Sequence, residues 1–188
     1  ALDLDCGSPK VTRWVPIFYA DGSRLYRVLK MAAAGTIDGQ HLDPNVLFDA
    51  VVLGEEAAVS HLVNLGISID SCDDQGMTAL HWSAASPEGE ALVPFLLSTG
   101  AKLDSRDKVG HTPLHLHCAQ GRLFGVSCLL HHGGDANART QKTLLSPLHL
   151  ASEMQHVEIA RLLLAYGVSA RVCVCVCVCV CVCVCVCV

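Results

Sequence analysis

Four short segments recur along this chain at nearly constant spacing. Asn45-Val46-Leu47-Phe48, Thr78-Ala79-Leu80-His81, Thr112-Pro113-Leu114-His115 and Ser146-Pro147-Leu148-His149 lie 33, 34 and 34 residues apart. A second apolar run follows each one, at 59–63, 92–97, 126–130 and 159–164, and each run ends near Gly66, Gly100, Gly133 or Gly167. A period of this length with two short helical patterns per unit predicts a solenoid, in which each unit buries its faces only against its neighbours.

The recurring residues have local reasons to recur. A Thr or Ser at the start of a helix can accept from a backbone N–H of the first turn that has no partner within the helix. Pro fits directly after it, where its missing N–H costs nothing. Leu two residues past the cap points into the stack. The following His can bond backbone or hydroxyl groups and tie the helix start to a neighbouring loop. Gly after the second helix suits a left-handed C-terminal cap. Polar segments such as Asp73-Asp74-Gln75-Gly76 then read as turns between units.

Composition is informative only once the tail is set aside. Residues 172–188 alternate Val and Cys strictly and hold eight of the 12 cysteines. The body keeps Cys6, Cys72, Cys118 and Cys128, and its apolar share falls from 52% to roughly 47%, an ordinary globular value. Four unpatterned cysteines do not make a secreted disulfide framework, which points to a reducing compartment, cytoplasmic or nuclear. A net charge of −5 gives no global bias towards nucleic acid or anionic membrane. The body has no apolar run near the ~20 residues of a membrane span, and the start Ala1-Leu2-Asp3-Leu4-Asp5-Cys6 lacks an initiator Met and a signal peptide's pattern, so the chain reads as a fragment.

The tail itself has a β pattern, with valines on one side of a strand and cysteines on the other. Thiolate metal clusters need polar, flexible spacers, and unbroken Val supplies none. Alternating G and T in DNA reads GTG-TGT and encodes Val-Cys without end, so a translated microsatellite is the simplest source. As protein, such a run would be prone to aggregate and oxidise.

At this point the sequence resembles the ankyrin-repeat family, whose pattern is Thr-Pro-Leu-His-Leu-Ala-Ala, a second helix ending in Leu-Leu, then Gly-Ala-Asp-Val-Asn-Ala. The chain has Thr112-Pro113-Leu114-His115-Leu116-His117-Cys118-Ala119 and, later, Leu129-Leu130-His131-His132-Gly133-Gly134-Asp135-Ala136-Asn137-Ala138. Its last unit has Ser146-Pro147-Leu148-His149-Leu150-Ala151 and Arg161-Leu162-Leu163-Leu164-Ala165-Tyr166-Gly167. The match runs from about Asn45 to Arg171.

The resemblance implies an all-α solenoid of helix pairs with projecting hairpin loops. It divides the chain into a loose arm at 1–20, a degenerate N-terminal cap at 21–44, units at 45–77, 78–111 and 112–145, a truncated unit at 146–171 and the tail at 172–188. The arm contains Trp14-Val15-Pro16-Ile17-Phe18-Tyr19, and Leu25–Gly35 would be a helix of the cap. The unit from Asn45 lacks the Pro and the His, which predicts a weaker helix pair. One extra residue near Ser86-Pro87-Glu88-Gly89 is expected in a helix–helix turn, and another in 139–145 is expected to lengthen a finger-like loop.

Thr78, His81, Thr112, His115, Ser146 and His149 form the structural capping motif. By resemblance, a protein partner binds the concave face and the finger loops. Carried over by position, its contacts are Asp74, Gln75, Met77, Lys108, Val109, His111, Gln141 and Lys142, with Ala85, Ser86, Gln120, Glu153 and Met154 at the ends of the first helices. Trp82 stands where the family has Leu and is assigned to the core ahead of a partner contact. Asn137 resembles ankyrin asparagines hydroxylated by a cytosolic oxygenase; a turn asparagine bonding its own hairpin backbone is the simpler reading.

Other chemistry finds little support. His111, His115, His117, Cys118, His131 and His132 cluster in sequence as zinc ligands can. However, His81, His115 and His149 repeat at 34-residue spacing, which is one structural role repeated and not one metal sphere. No metal or cofactor is expected. The chain has no nucleophile elbow, no phosphate-binding loop and no His-Glu-x-x-His helix, so no enzyme activity is expected either. The expected function is that of a protein-interaction adaptor or scaffold, acting as a monomer. The alternatives are a regulatory ankyrin segment of a larger enzyme or channel, and a structural spacer without a specific ligand.

Overall fold

The computed structural model describes residues 45–141 and 143–167, all within one compact unit. The arm, the N-terminal cap, Lys142 and the Val-Cys tail lie outside the described residues. Among the described residues the chain is a row of helix pairs without strands, save one isolated bridge between Cys72 and Thr78. The first pair is α1 (Asn45–Val52) and α2 (Glu56–Asn64). The second is α3 (Ala79–Trp82), a 3₁₀ turn (Ser83–Ala85), α4 (Pro87–Ala91) and α5 (Val93–Ser98). The third is α6 (Pro113–Ala119) and α7 (Leu123–His131), and the fourth is α8 (Pro147–Glu153) and α9 (Val157–Ala165).

Helices this short are marginal alone, so packing must hold them. The first helices stack in the order α1, α3, α6, α8, and each packs on the second helix of its own pair. Leu47, Leu80, Leu114 and Leu148, two residues past the recurring cap position, are all buried. Val59, Leu62, Val93, Leu96, Val126, Leu129, Ile159 and Leu163 bury the second helices against them.

One pair forms without the recurring motif, and one stretch departs from what the sequence led one to expect. The pair from Asn45 forms without the Pro and His, because Leu47, Phe48, Ala50 and Val51 are buried against the next pair. The stretch Ser86-Pro87-Glu88-Gly89 is not a turn: it starts a helix. Ser86 Oγ accepts from Gly89 N–H at 2.9 Å and also donates to Val52 O, so one hydroxyl caps α4 and fixes it to α1. The helix then breaks at Leu92, since Pro94 in the first turn of α5 has no N–H to continue the ladder.

Candidate interaction surface

The first helices α3, α6 and α8 each begin with a reciprocal capping box. The backbone N–H of Thr78 donates to His81 Nδ1 at 3.1 Å, that of Thr112 to His115 Nδ1 at 3.2 Å, and that of Ser146 to His149 Nδ1 at 3.1 Å. The same nitrogen lies 3.0, 2.8 and 2.7 Å from the cap hydroxyl. His81 Nε2 reaches His111 O at 3.1 Å and His115 Nε2 reaches Leu145 O at 3.1 Å. A carbonyl only accepts, so Nε2 carries the proton and both rings are neutral. Burial is the main cause that holds His81 below its ordinary pKa and His115 down at about 4.

These bonds hang each finger on the helix before it. Within a finger, an aspartate gathers the loop's N–H groups. Asp73 Oδ1 accepts from Gln75 N and Met77 N, both at 2.8 Å, while its Oδ2 accepts from Trp82 Nε1 at 3.1 Å. Asp107 Oδ1 accepts from Val109 N at 2.9 Å and His111 N at 2.7 Å, and its Oδ2 lies 3.0 Å from His111 Nδ1. Burial raises the Asp107 pKa, but the hydrogen bonds from His111 and Val109 outweigh it and hold the carboxyl below its usual range.

Gly76 and Gly110 close the two hairpins at φ +79° and +93°, a region where L side chains are strained. The recurring Asp-x-x-Gly, at Asp73–Gly76 and Asp107–Gly110, was a readable signal for these anchors. The third finger lacks it. Thr140 stands in for the aspartate and its hydroxyl accepts from Leu145 N at 3.0 Å. The closing bond runs from Thr140 N to Leu145 O, against Asp107 N to His111 O, so this loop is one residue longer. Leu144 takes the left-handed turn at φ +54° and is 59% exposed.

Neighbouring fingers are joined. Lys108 N donates to Gln75 O at 2.9 Å, Arg106 Nη1 donates to Arg139 O at 2.7 Å, and Lys102 pairs with Asp70 at 3.4 Å. A Cβ at Gly110 would stand 2.6 Å from Gln141 N, so the second and third fingers touch backbone to backbone.

The residues carried over as partner contacts fall into two groups. Asp74, Gln75, Lys108, Val109 and Gln141 are exposed at the finger tips, with Met77 and His111 half-buried behind them. Ala85, Gln120, Glu153 and Met154 are exposed at the other end of the first helices, a helix length away. Ser86 joins that end, but its hydroxyl is committed to the α4 cap and to Val52. Lys142 lies outside the described residues. Trp82 is half-buried, stacked on Phe48 at 6.1 Å and bonded to Asp73. Asn137 is exposed, and the carboxylate that holds its turn is Asp135, which accepts from Asn137 N at 2.9 Å.

The histidines that cluster in sequence each have their own partners. His117 Nδ1 bonds Pro113 O at 2.9 Å, and its Nε2 lies 3.3 Å from Ser83 Oγ. His131 Nδ1 bonds Ser127 O at 3.0 Å and lies 2.9 Å from the Tyr166 hydroxyl, and His132 Nδ1 bonds Cys128 O at 2.9 Å. Among the described residues no group of three or more His, Cys, Asp or Glu is placed to hold a metal ion. Burial pushes the Cys118 thiol well up, away from reactivity.

A family model described as ankyrin repeats in three copies matches residues 84–172. Residues 84–172 are ankyrin repeats. No curated protein matches it. The helix pairs, capping boxes and hairpin fingers are therefore those of an ankyrin solenoid, and ankyrin repeats are protein-interaction modules. No helix among the described residues is long and apolar enough to cross a membrane.

Proposed function

We infer that this ankyrin-repeat chain binds a protein partner along its finger edge and has no catalytic role of its own. The observation that carries this reading is the joining of the fingers. The inward polar groups of each hairpin are spent on its own loop and on its neighbour, which leaves Asp74, Gln75, Lys108, Val109 and Gln141 exposed on a pre-ordered edge. A surface ordered before binding loses less entropy on association. Free Cys72, Cys118 and Cys128 support an intracellular, reducing location, cytoplasmic or nuclear, for a monomer that needs no cofactor.

The test is quantitative affinity capture with the whole chain and with a variant carrying Asp74→Ala, Gln75→Ala, Lys108→Ala and Val109→Ala. Proteins retained by the first and lost by the second support the reading. An unchanged set would favour a spacer without a specific ligand.

A further inference from the structure

The helix–helix turns, opposite the fingers, form a second surface with a different character. Adjacent turns abut one another. A Cβ at Gly54 would stand 2.8 Å from Glu88 Cβ, which seats the first turn on the start of α4. Glu90 Oε1 accepts from Gly125 N at 2.8 Å, and Arg122 Nε donates to Ala84 O at 3.1 Å, which joins the second turn to the third. A Cβ at Gly121 would stand 2.6 Å from the His156 ring, and His156 Nε2 reaches Ala119 O at 3.3 Å, which joins the third to the fourth. The four turns are thus one continuous ledge.

Apolar groups run along it. Of the eight exposed large hydrophobic residues among the described residues, four are here: Leu53 at 47%, Leu123 at 45%, Phe124 at 53% and Met154 at 52% exposure. The second turn adds exposed Ala85, Pro87 and Ala91. The charge is one-sided. Residues 53–56, 85–91, 120–124 and 153–158 hold six glutamates and one cation, Arg122, whose guanidinium is already bonded to Ala84 O and Ala85 O. The finger segments, by contrast, mix lysines and arginines with their aspartates.

Helix dipoles account for part of the acid, since Glu56, Glu88, Glu90 and Glu158 stand in first turns. They do not account for Glu153 in the last turn of α8, where an acid is disfavoured, nor for α7, which opens on bare Leu123 and Phe124.

We propose that this ledge is a docking surface for a basic amphipathic segment of a partner protein, with Lys or Arg flanking an apolar stripe that covers Leu123 and Phe124. Charge complementarity selects that occupant: the uniform negative field repels anionic lipid, nucleic acid and a second ledge alike. The assignment rests on the reading of the chain as a protein-interaction module but uses a surface separate from the fingers.

The probe is a labelled helical peptide of about 18 residues with Leu at i, i+3, i+4 and i+7 and Lys elsewhere, read by fluorescence anisotropy on the whole reduced chain. A peptide with Glu in place of Lys is its control. The Lys peptide is expected to bind and the Glu peptide not to bind. The pair Leu123→Ser with Phe124→Ser should weaken binding about tenfold or more, and Glu56→Gln with Glu88→Gln about threefold to tenfold. The second pair leaves every packed side chain in place and keeps the test valid should the first pair fail to fold.

No binding of the Lys peptide, equal binding of both peptides, or full affinity in the ledge variants would each overturn the proposal. So would self-association of the chain that Leu123→Ser with Phe124→Ser abolishes, since the occupant would then be a second copy. If Lys108→Ala with Val109→Ala abolishes binding while the ledge variants do not, the ledge assignment fails and the finger reading stands.

Discussion

Gly125 sits inside α7, where glycine normally weakens a helix by about 1 kcal/mol relative to alanine. On propensity alone Gly125→Ala should stabilise. The structure reverses the sign. A Cβ there would lie 2.2 Å from His117 Cδ2 and 2.7 Å from its Nε2. The ring cannot easily retreat, because it is fully buried and held at Pro113 O and near Ser83 Oγ. Overpacking of this kind costs about 1–3 kcal/mol, so after the propensity gain Gly125→Ala should destabilise by up to about 2 kcal/mol.

Removing the ring reverses the sign again. His117→Ala alone leaves a cavity and should cost about 2–4 kcal/mol. In that background the new methyl at 125 enters the space the ring left, and Gly125→Ala should now stabilise by about 1 kcal/mol. The expected coupling is therefore about 1–3 kcal/mol, within the measured range for a pair in contact. Urea unfolding followed by circular dichroism, in reductant, measures all four proteins. A stabilising Gly125→Ala in the parent chain, or a coupling under about 0.5 kcal/mol, would refute the packing of this ring against α7.

Acid should weaken the fold through the same histidines. Burial holds His115 and His117 at about 4 in the folded chain, below the unfolded value near 6.5. Between those values the unfolded chain binds more protons, so stability is complete above about pH 6.5 and falls as the pH drops towards 4, by up to about 3 kcal/mol per ring. Urea midpoints from pH 7.5 to 4.5 should fall steeply in the parent and less in the His117→Ala, Gly125→Ala double variant; equal slopes would refute the role of His117. Leu144→Gly relieves a left-handed leucine costing about 1–2 kcal/mol against an entropic loss of about 0.5–1 kcal/mol, so the melting temperature should hold or rise. A loss beyond about 1 kcal/mol would mean that the Leu144 side chain supports the fold. Leu148→Ala removes a buried side chain from α8 and should cost about 2–4 kcal/mol; a loss under about 0.5 kcal/mol would contradict its burial.

Much of this protein was legible in its sequence because its order is periodic. The cap-Pro-Leu-His segments, the second apolar runs and the glycines after them mark the helix pairs, since capping and helical periodicity act within a few residues. Asp73 and Asp107 gather the N–H groups of their own loops, again a local act, and the Asp-x-x-Gly repeat announces it. Sequence reading fell short where a residue's role depends on a contact that only packing makes. Nothing local shows that the Ser86 hydroxyl reaches Val52 O, that Gly125 is small to admit the His117 ring, or that Leu47 and Phe48 of α1 are buried although its unit lacks the Pro and His. Nor does sequence show that the exposed ends of the first helices join Leu123 and Phe124 in an acidic ledge, apart from the fingers. Local hydrogen bonds fix where each helix starts and stops. Only the stacking of units, which brings turns one period apart into contact, decides which residues remain exposed together and so what the surface can bind.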